Sequence, residues 1–110
     1  MSSVQIEKNG NNAVVELREP LTLAFARELQ PQLKQLIAER VSGIVIDLSQ
    51  VDLVDSSGIG LLIATRNSLA KMGGGLRIVG VSSEIQHLFK AMRLDRHFEV
   101  EGKQVIGSLS

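Results

Sequence analysis

The residues best suited to chemistry in this chain lie in one short tract, residues 54–63, which reads V-D-S-S-G-I-G-L-L-I. The tract places a carboxylate, Asp55, and two hydroxyls, Ser56 and Ser57, after an apolar strand and at the predicted start of a helix. A hydroxyl at that position lies among free backbone N–H groups at the positive end of the helix dipole. Such a group can cap the helix, bind an anion or carry a phosphate, and the residue types alone leave all three open.

Two features of the tract favour a role beyond simple capping. Three polar capping candidates follow one another at Asp55, Ser56 and Ser57, where a single one would suffice. The tract also follows the carboxyl end of a predicted central strand, where open α/β sheets usually place their functional loops. We therefore treat it as the candidate functional site.

The other polar residues do not form a catalytic or metal-binding pattern. His87 and His97 have no partner at metal-ligand spacing, cysteine is absent, and Asp47 and Asp52 are not convincingly paired with Asp55. Because an enzyme needs a nucleophile with a base, paired carboxylates or a metal cluster, we expect no catalytic residue, no metal and no cofactor.

Two further patterns have structural interpretations. The Gly58-x-Gly60 pair and the glycines at 73–75 match no phosphate-binding loop, so we assign them to packing and to helix termination. A basic run formed by Lys90, Arg93 and Arg96 fits a solvated helix face with a basic end, which suits the helix dipole.

Composition limits the class of protein. The 110 residues, 44% of them hydrophobic, fit one domain that spans 1–110. Twelve basic and twelve acidic residues cancel, and Trp and Tyr are absent, so we expect no nucleic-acid partner. The first ten residues lack the apolar core of a signal peptide, and no apolar run approaches the ~18 residues of a membrane span. We expect a cytoplasmic protein that does not insert into a membrane.

The first half of the chain predicts a hairpin, a helix and a strand. Alternating apolar residues on both sides of an Asn-Gly turn predict the hairpin. Apolar residues at helical spacing predict a helix over about 22–40, with Thr22 as a possible cap and with a kink or a broken start at Pro31. The apolar run at 43–48 has the pattern of a central strand that is covered on both faces.

The second half predicts a helix from the serines to the triple glycine, a strand at 76–79, and a third helix capped by Ser82 or Ser83. The predicted inner face of this third helix consists of Ile85, Leu88, Phe89 and Met92. Phe98, Val100, Val105 and Ile106 suggest edge structure after it. The fold class is therefore α/β, with a mixed four- to five-stranded sheet covered by helices in the order β-β-α-β-α-β-α.

The tract and its surroundings resemble the STAS domain, the family of bacterial anti-sigma-factor antagonists. The D-S-S-G-I-G sequence after an apolar strand is the most specific element of this resemblance, which covers nearly the whole chain. The matching segments are I-V-I-D-L at 44–48, V-D-L-V-D-S-S-G-I-G at 51–60, and L-R-I-V at 76–79 with Ile85, Leu88 and Phe89.

The resemblance implies a partner-switching role in signal transduction and transcription regulation. In that family the second serine of the tract accepts a phosphate, which corresponds to Ser57 here, with Ser56 as second choice. The unphosphorylated form binds a serine kinase that also serves as the anti-sigma factor, the phosphorylated form does not bind, and a serine phosphatase resets the protein. Partner binding would involve Thr22, Asp55, Ser56, Ser57, Gly58 and Ile59.

One departure from the family pattern concerns Thr22. Many relatives have an acidic residue before the first helix, and here the stretch reads Glu19-Pro20-Leu21-Thr22. The substitution preserves a capping residue but removes a carboxylate that could take part in kinase recognition. The alternatives are a permanent, non-phosphorylated STAS subunit of a transporter ATPase, for instance in lipid transport, and direct binding of a small anion or nucleotide. For the anion or nucleotide site, the sequence offers no basic clamp, that is, no set of basic residues that would hold the ligand.

Overall fold

The structure, a computed structural model, describes residues 3–103 of the chain. Its elements follow the predicted order, with a fifth strand added at the end. The strands are β1 (Val4–Asn9), β2 (Asn12–Leu17), β3 (Gly43–Asp47), β4 (Gly75–Val81) and β5 (Glu99–Gly102). The helices are α1 (Leu23–Ala38), α2 (Ser56–Lys71) and α3 (Ser83–Ala91), and a 3₁₀ turn spans Leu94–Arg96.

The strands form one mixed sheet in the order β1-β2-β3-β4-β5, which confirms the predicted fold class. Only β1 and β2 pair in an antiparallel manner, around a two-residue turn in which Gly10 has φ +65°. A positive φ at the first turn position matches the twist of the two strands, and glycine adopts it without strain. The other neighbouring strands pair in parallel, and a helix connects each pair.

Residues paired across the sheet show that the helices cover one face. Val15, Ile46 and Ile78 form a fully buried row, whereas Val45 and Asp47 on the opposite face of β3 are only half-buried. The prediction that β3 is covered on both faces is therefore wrong. Each crossover leads to the next strand in the same direction, and right-handed crossovers then place every helix on the same side.

Helix α1 is continuous through Pro31, so of the two expected effects of this proline, a kink or a broken start, the broken start is absent. Proline lacks the N–H that would bond to the carbonyl of Arg27, four residues earlier, but Pro31 is exposed, and water can reach that side of the helix. The helix is slightly shorter than predicted because it begins after Thr22 and ends at Ala38. Its apolar stripe faces the sheet, as predicted, with Phe25, Ala26, Leu29, Leu33 and Leu36 buried.

Helix α2 ends at the triple glycine, as predicted. The N–H of Gly74 donates to the carbonyl of Leu69 at 2.8 Å, and that of Gly73 donates to Ala70 at 3.0 Å. Gly73 has φ +78°, which makes this a Schellman ending, in which glycine avoids the steric cost of left-handed backbone. The chain then turns directly into β4.

Helix α3 is capped by Ser82, whose hydroxyl accepts from the N–H of Ile85 at 3.2 Å, as predicted. Phe89 is fully buried, and its ring meets that of Phe98 edge-on with centroids 6.0 Å apart. The prediction for Met92 is wrong, because this side chain is 48% exposed at the C-cap, beyond the last buried turn. The predicted edge structure corresponds to β5, and Val105 and Ile106 lie outside the described residues.

Candidate functional site

The first turns of α1 and α2 lie side by side because the segments that precede them are paired. Leu21 and Val54 form an isolated parallel bridge, in which the N–H of Leu21 donates to the carbonyl of Leu53 at 2.9 Å. The N–H of Asp55 donates in turn to the carbonyl of Leu21 at 3.2 Å. The positive ends of two helix dipoles therefore meet at one edge of the molecule.

Asp55 caps both helices. Its Oδ1 accepts from the N–H of Gly58 at 3.1 Å in α2, and its Oδ2 accepts from the N–H of Leu23 at 3.2 Å in α1. A single carboxylate thus satisfies one free donor at each helix end and brings negative charge to two positive dipoles.

Thr22 occupies the N-cap position of α1 with extended backbone, but its side chain makes no capping hydrogen bond. The prediction that its hydroxyl caps the helix is therefore wrong. The cap of α1 comes instead from Asp55, 32 residues further along the chain, which accepts from the N–H of Leu23. Sequence reasoning placed Asp55 only at its own helix, because nothing in the sequence shows that the two helix ends are neighbours.

Gly58 allows α2 to pack closely against Leu21, in the segment that precedes α1. A Cβ atom at this position would lie 2.5 Å from the carbonyl oxygen of Leu21 and 2.6 Å from its Cγ, closer than atoms pack. Gly60, two residues later, has open space at the corresponding position. The first glycine of the tract is therefore required for packing, and the second is not.

The two serines differ in exposure. Ser56 is exposed in the first turn of α2, and Ser57 is half-buried. Within the described part of the chain, the hydroxyl of Ser57 has no hydrogen-bond partner, and neither serine N–H donates to another protein group. Ser57 therefore has an available hydroxyl beside free backbone donors, and it is accessible from a surface groove.

That groove lies between α1 and α2 and has a volume of about 340 Å³. Ser57 and Leu61 line it from α2, and Leu23, Arg27 and Gln30 line it from α1. The groove is open at the surface, so the hydroxyl is not enclosed by side chains.

Two large apolar side chains flank the site. Leu23, the first residue of α1, is 48% exposed, and Leu53, two residues before the double cap, is 54% exposed. Apolar side chains are therefore exposed on both segments that lead to the double cap. Of the six predicted site residues, Gly58 and Ile59 are instead buried, so Ile59 contributes to the core rather than to the surface.

The sequence did not indicate that Leu23, Leu53 and Arg27 are exposed near the serine tract. Leu23 and Arg27 are four residues apart on α1, a spacing that predicts a shared helix face. The sequence could not show that this face borders Ser57.

The other polar candidates are not assembled into a site. His87 and His97 are both exposed, and Asp47 accepts from the N–H of Ser49 at 2.8 Å, which is a local turn contact. Across residues 3–103, no group of three or more His, Cys, Asp or Glu side chains could hold a metal ion. No helix in the same range is long and apolar enough to cross a membrane.

The family model of the STAS domain matches residues 3–105. The chain belongs to the STAS domain family. This STAS domain is 27% identical over 101 residues to the anti-sigma-B factor antagonist of Bacillus subtilis (strain 168), and the match covers 92% of each protein.

Solved structures share the fold of this STAS domain. The protein tm1081 from Thermotoga maritima superposes with a TM-score of 0.84 at 16% identity, over 96% of this chain and 89% of that one. The unphosphorylated form of the Bacillus cell fate determinant SpoIIAA gives a TM-score of 0.78 at 18% identity, over 96% and 90%. The phosphorylated form of SpoIIAA gives 0.73 at 18% identity, over 96% and 94%. SpoIIAA therefore keeps this fold in both states.

Proposed function

We propose that this STAS domain is an anti-sigma-factor antagonist controlled by phosphorylation of Ser57. The unphosphorylated domain binds a partner that is both a serine kinase and an anti-sigma factor, and the phosphorylated domain releases it. A serine phosphatase restores the first state. In this proposal the cytoplasmic chain 1–110 acts as one binding module and catalyses no reaction itself.

The observation that carries the proposal is the position of the Ser57 hydroxyl. It is accessible from the groove, has no partner among the described residues, and lies beside free N–H groups at the start of α2. A kinase that held ATP at this surface would transfer the γ-phosphoryl group to Oγ, with ADP leaving and the hydroxyl proton passing to a kinase base. The helix end then stabilises the added negative charge.

The same geometry explains how a phosphate would prevent docking. Phosphorylation adds about −1.5 to −2 charges and three strong acceptors at the groove that the exposed Leu23 lines, four residues after the exposed Leu53. A partner packed on those leucines would have to remove water from the phosphate. A loss of about 1–3 kcal/mol of binding free energy lowers the affinity roughly ten- to hundredfold, which is enough for a switch.

The relatives support the same function. The curated relative from Bacillus subtilis is an anti-sigma-B factor antagonist, and SpoIIAA is described in phosphorylated and unphosphorylated forms. A protein that keeps its fold in both forms can signal through surface charge alone, without refolding.

The test of the acceptor uses the purified domain, ATP and each candidate serine kinase of the source organism. Mass spectrometry should locate one phosphate on Ser57. Ser57→Ala should abolish the labelling, whereas the matched control Ser56→Ala should retain it. A phosphate on Ser56 alone, or on a residue outside this tract, would exclude Ser57 as the acceptor.

The test of the switch measures affinity for the partner recovered by pull-down with the unphosphorylated domain. Ser57→Ala should bind as tightly as the unmodified domain, and Ser57→Asp should bind about tenfold more weakly or worse. Equal affinity for the two variants would instead identify a permanent subunit, the alternative that includes a transporter ATPase complex.

A further inference from the structure

The groove beside Ser57 is lined by a positively charged side chain, Arg27, which has no role in the proposed function. Arg27 is the only charged side chain among the groove-lining residues of the described chain, which otherwise are apolar or neutral. It approaches from α1, across the groove from Ser57 on α2.

Arg27 also has no carboxylate partner within residues 3–103. In this respect it resembles most cations of the described residues and differs from Lys8, Arg18 and Arg77, which pair with glutamates. An exposed guanidinium without an ion pair is free to rotate toward a new anion. Its five donors in a planar fork match the oxygens of a phosphate.

Arg27 and Ser57 both lie near the N-terminal ends of their helices. The bridge between Leu21 and Val54 aligns the starts of α1 and α2, and Ser57 lies in the first turn of α2. Arg27 lies four residues, about 6 Å, beyond Leu23 along α1. Arg27 and Ser57 line the same groove, and its volume of about 340 Å³ exceeds the roughly 30 Å³ share of one water many times over.

We infer that Arg27 binds the phosphate of phosphorylated Ser57 across this groove, as a clamp within the same chain. The clamp compensates the charge of a phosphate that would otherwise lie against the apolar wall of Ala26 and Leu61. It ties α1 to α2 at the site, in addition to Asp55, whose two oxygens are already bonded to backbone N–H groups. This inference rests on the proposed phosphorylation of Ser57.

The test places phosphoserine at position 57 during translation, so that no kinase is needed. The second pKa of the phosphate is then titrated by ³¹P NMR in the full chain and in Arg27→Gln. Since a neighbouring cation favours the dianion, Arg27→Gln should raise that pKa and weaken dianion formation about twofold to tenfold. Backbone donors and Asp55 are common to both proteins and do not contribute to the difference.

Two further variants distinguish a clamp from a general effect of charge. Arg66→Gln removes a guanidinium from α2 that does not line the groove and donates to Asn67 at 3.1 Å, so it should leave the titration unchanged. Arg27→Lys should give an intermediate value, because an ammonium is a point charge without the planar fork. An unchanged pKa in Arg27→Gln, or an equal rise in Arg66→Gln, overturns the clamp.

The clamp and the proposed phosphorylation switch can fail independently of each other. If kinases label Ser57 but Arg27→Gln leaves the phosphate titration unchanged, the clamp is wrong and the switch remains. If kinases label another residue while the installed phosphate still responds to Arg27→Gln, the pairing geometry is supported and the switch is wrong.

Discussion

Replacing Asp55 tests the view that one carboxylate holds the starts of two helices. Asp55→Ala removes the acceptors for the N–H groups of Gly58 and Leu23, which lie at 3.1 Å and 3.2 Å. Both donors then depend on water at partly covered helix ends. Asp55→Asn keeps one oxygen acceptor and places an amide NH₂ toward the other helix, so it should lose only one cap.

The magnitude follows from the number of bonds. A capping bond contributes about 1 kcal/mol, within a range of roughly 0.5–2 kcal/mol, and both distances are at the long end for such bonds. We therefore expect Asp55→Ala to lower the free energy of unfolding by about 2 kcal/mol and Asp55→Asn by about 1 kcal/mol. At an m-value of about 1.3 kcal/mol/M, Asp55→Ala should lower the urea midpoint by about 1.5 M.

The assay is urea unfolding followed by far-UV circular dichroism, with two matched controls. Ser82→Ala removes a cap from one helix only, α3, and should cost about 1 kcal/mol. Thr22→Ala removes a hydroxyl at an N-cap position that makes no capping bond, and should cost less than about 0.5 kcal/mol. The double-cap interpretation is refuted if Asp55→Ala costs no more than Ser82→Ala, or if Thr22→Ala costs as much as Asp55→Ala.

Two other pairs of variants test the packing and the surface of the site. Gly58→Ala should destabilise the domain by about 1–3 kcal/mol in urea unfolding, because its Cβ would collide with Leu21, whereas Gly60→Ala should stabilise it by about 0.5–1 kcal/mol. Comparable effects of the two would contradict the close approach. Leu53→Glu should weaken partner binding more than tenfold in calorimetry, and Met72→Glu, exposed at the opposite end of α2, should not. Equal binding by both variants would show that the partner docks elsewhere.

The amphipathic patterns of the chain determine most of the secondary structure. The stripe of α1, the alternation in β2 and the cap at Ser82 are local signals, and the structure confirms each of them. The position of the serine tract at the start of α2 is likewise local, since apolar periodicity after polar capping residues defines a helix end.

The tertiary structure decides which of these local features meet. The sequence indicates a buried β3, but the same-sided crossovers leave Val45 half-buried. Asp55 reaches a helix that begins 32 residues earlier, and Arg27 faces Ser57 across a groove, because parallel pairing aligns the two helix starts. Hydrophobic periodicity indicates which side of a helix or strand is apolar. Which residues of different elements become neighbours depends on how those elements pack. The sequence therefore identifies the serine tract. The double cap by Asp55 and the position of Arg27 beside Ser57 are determined only by the fold.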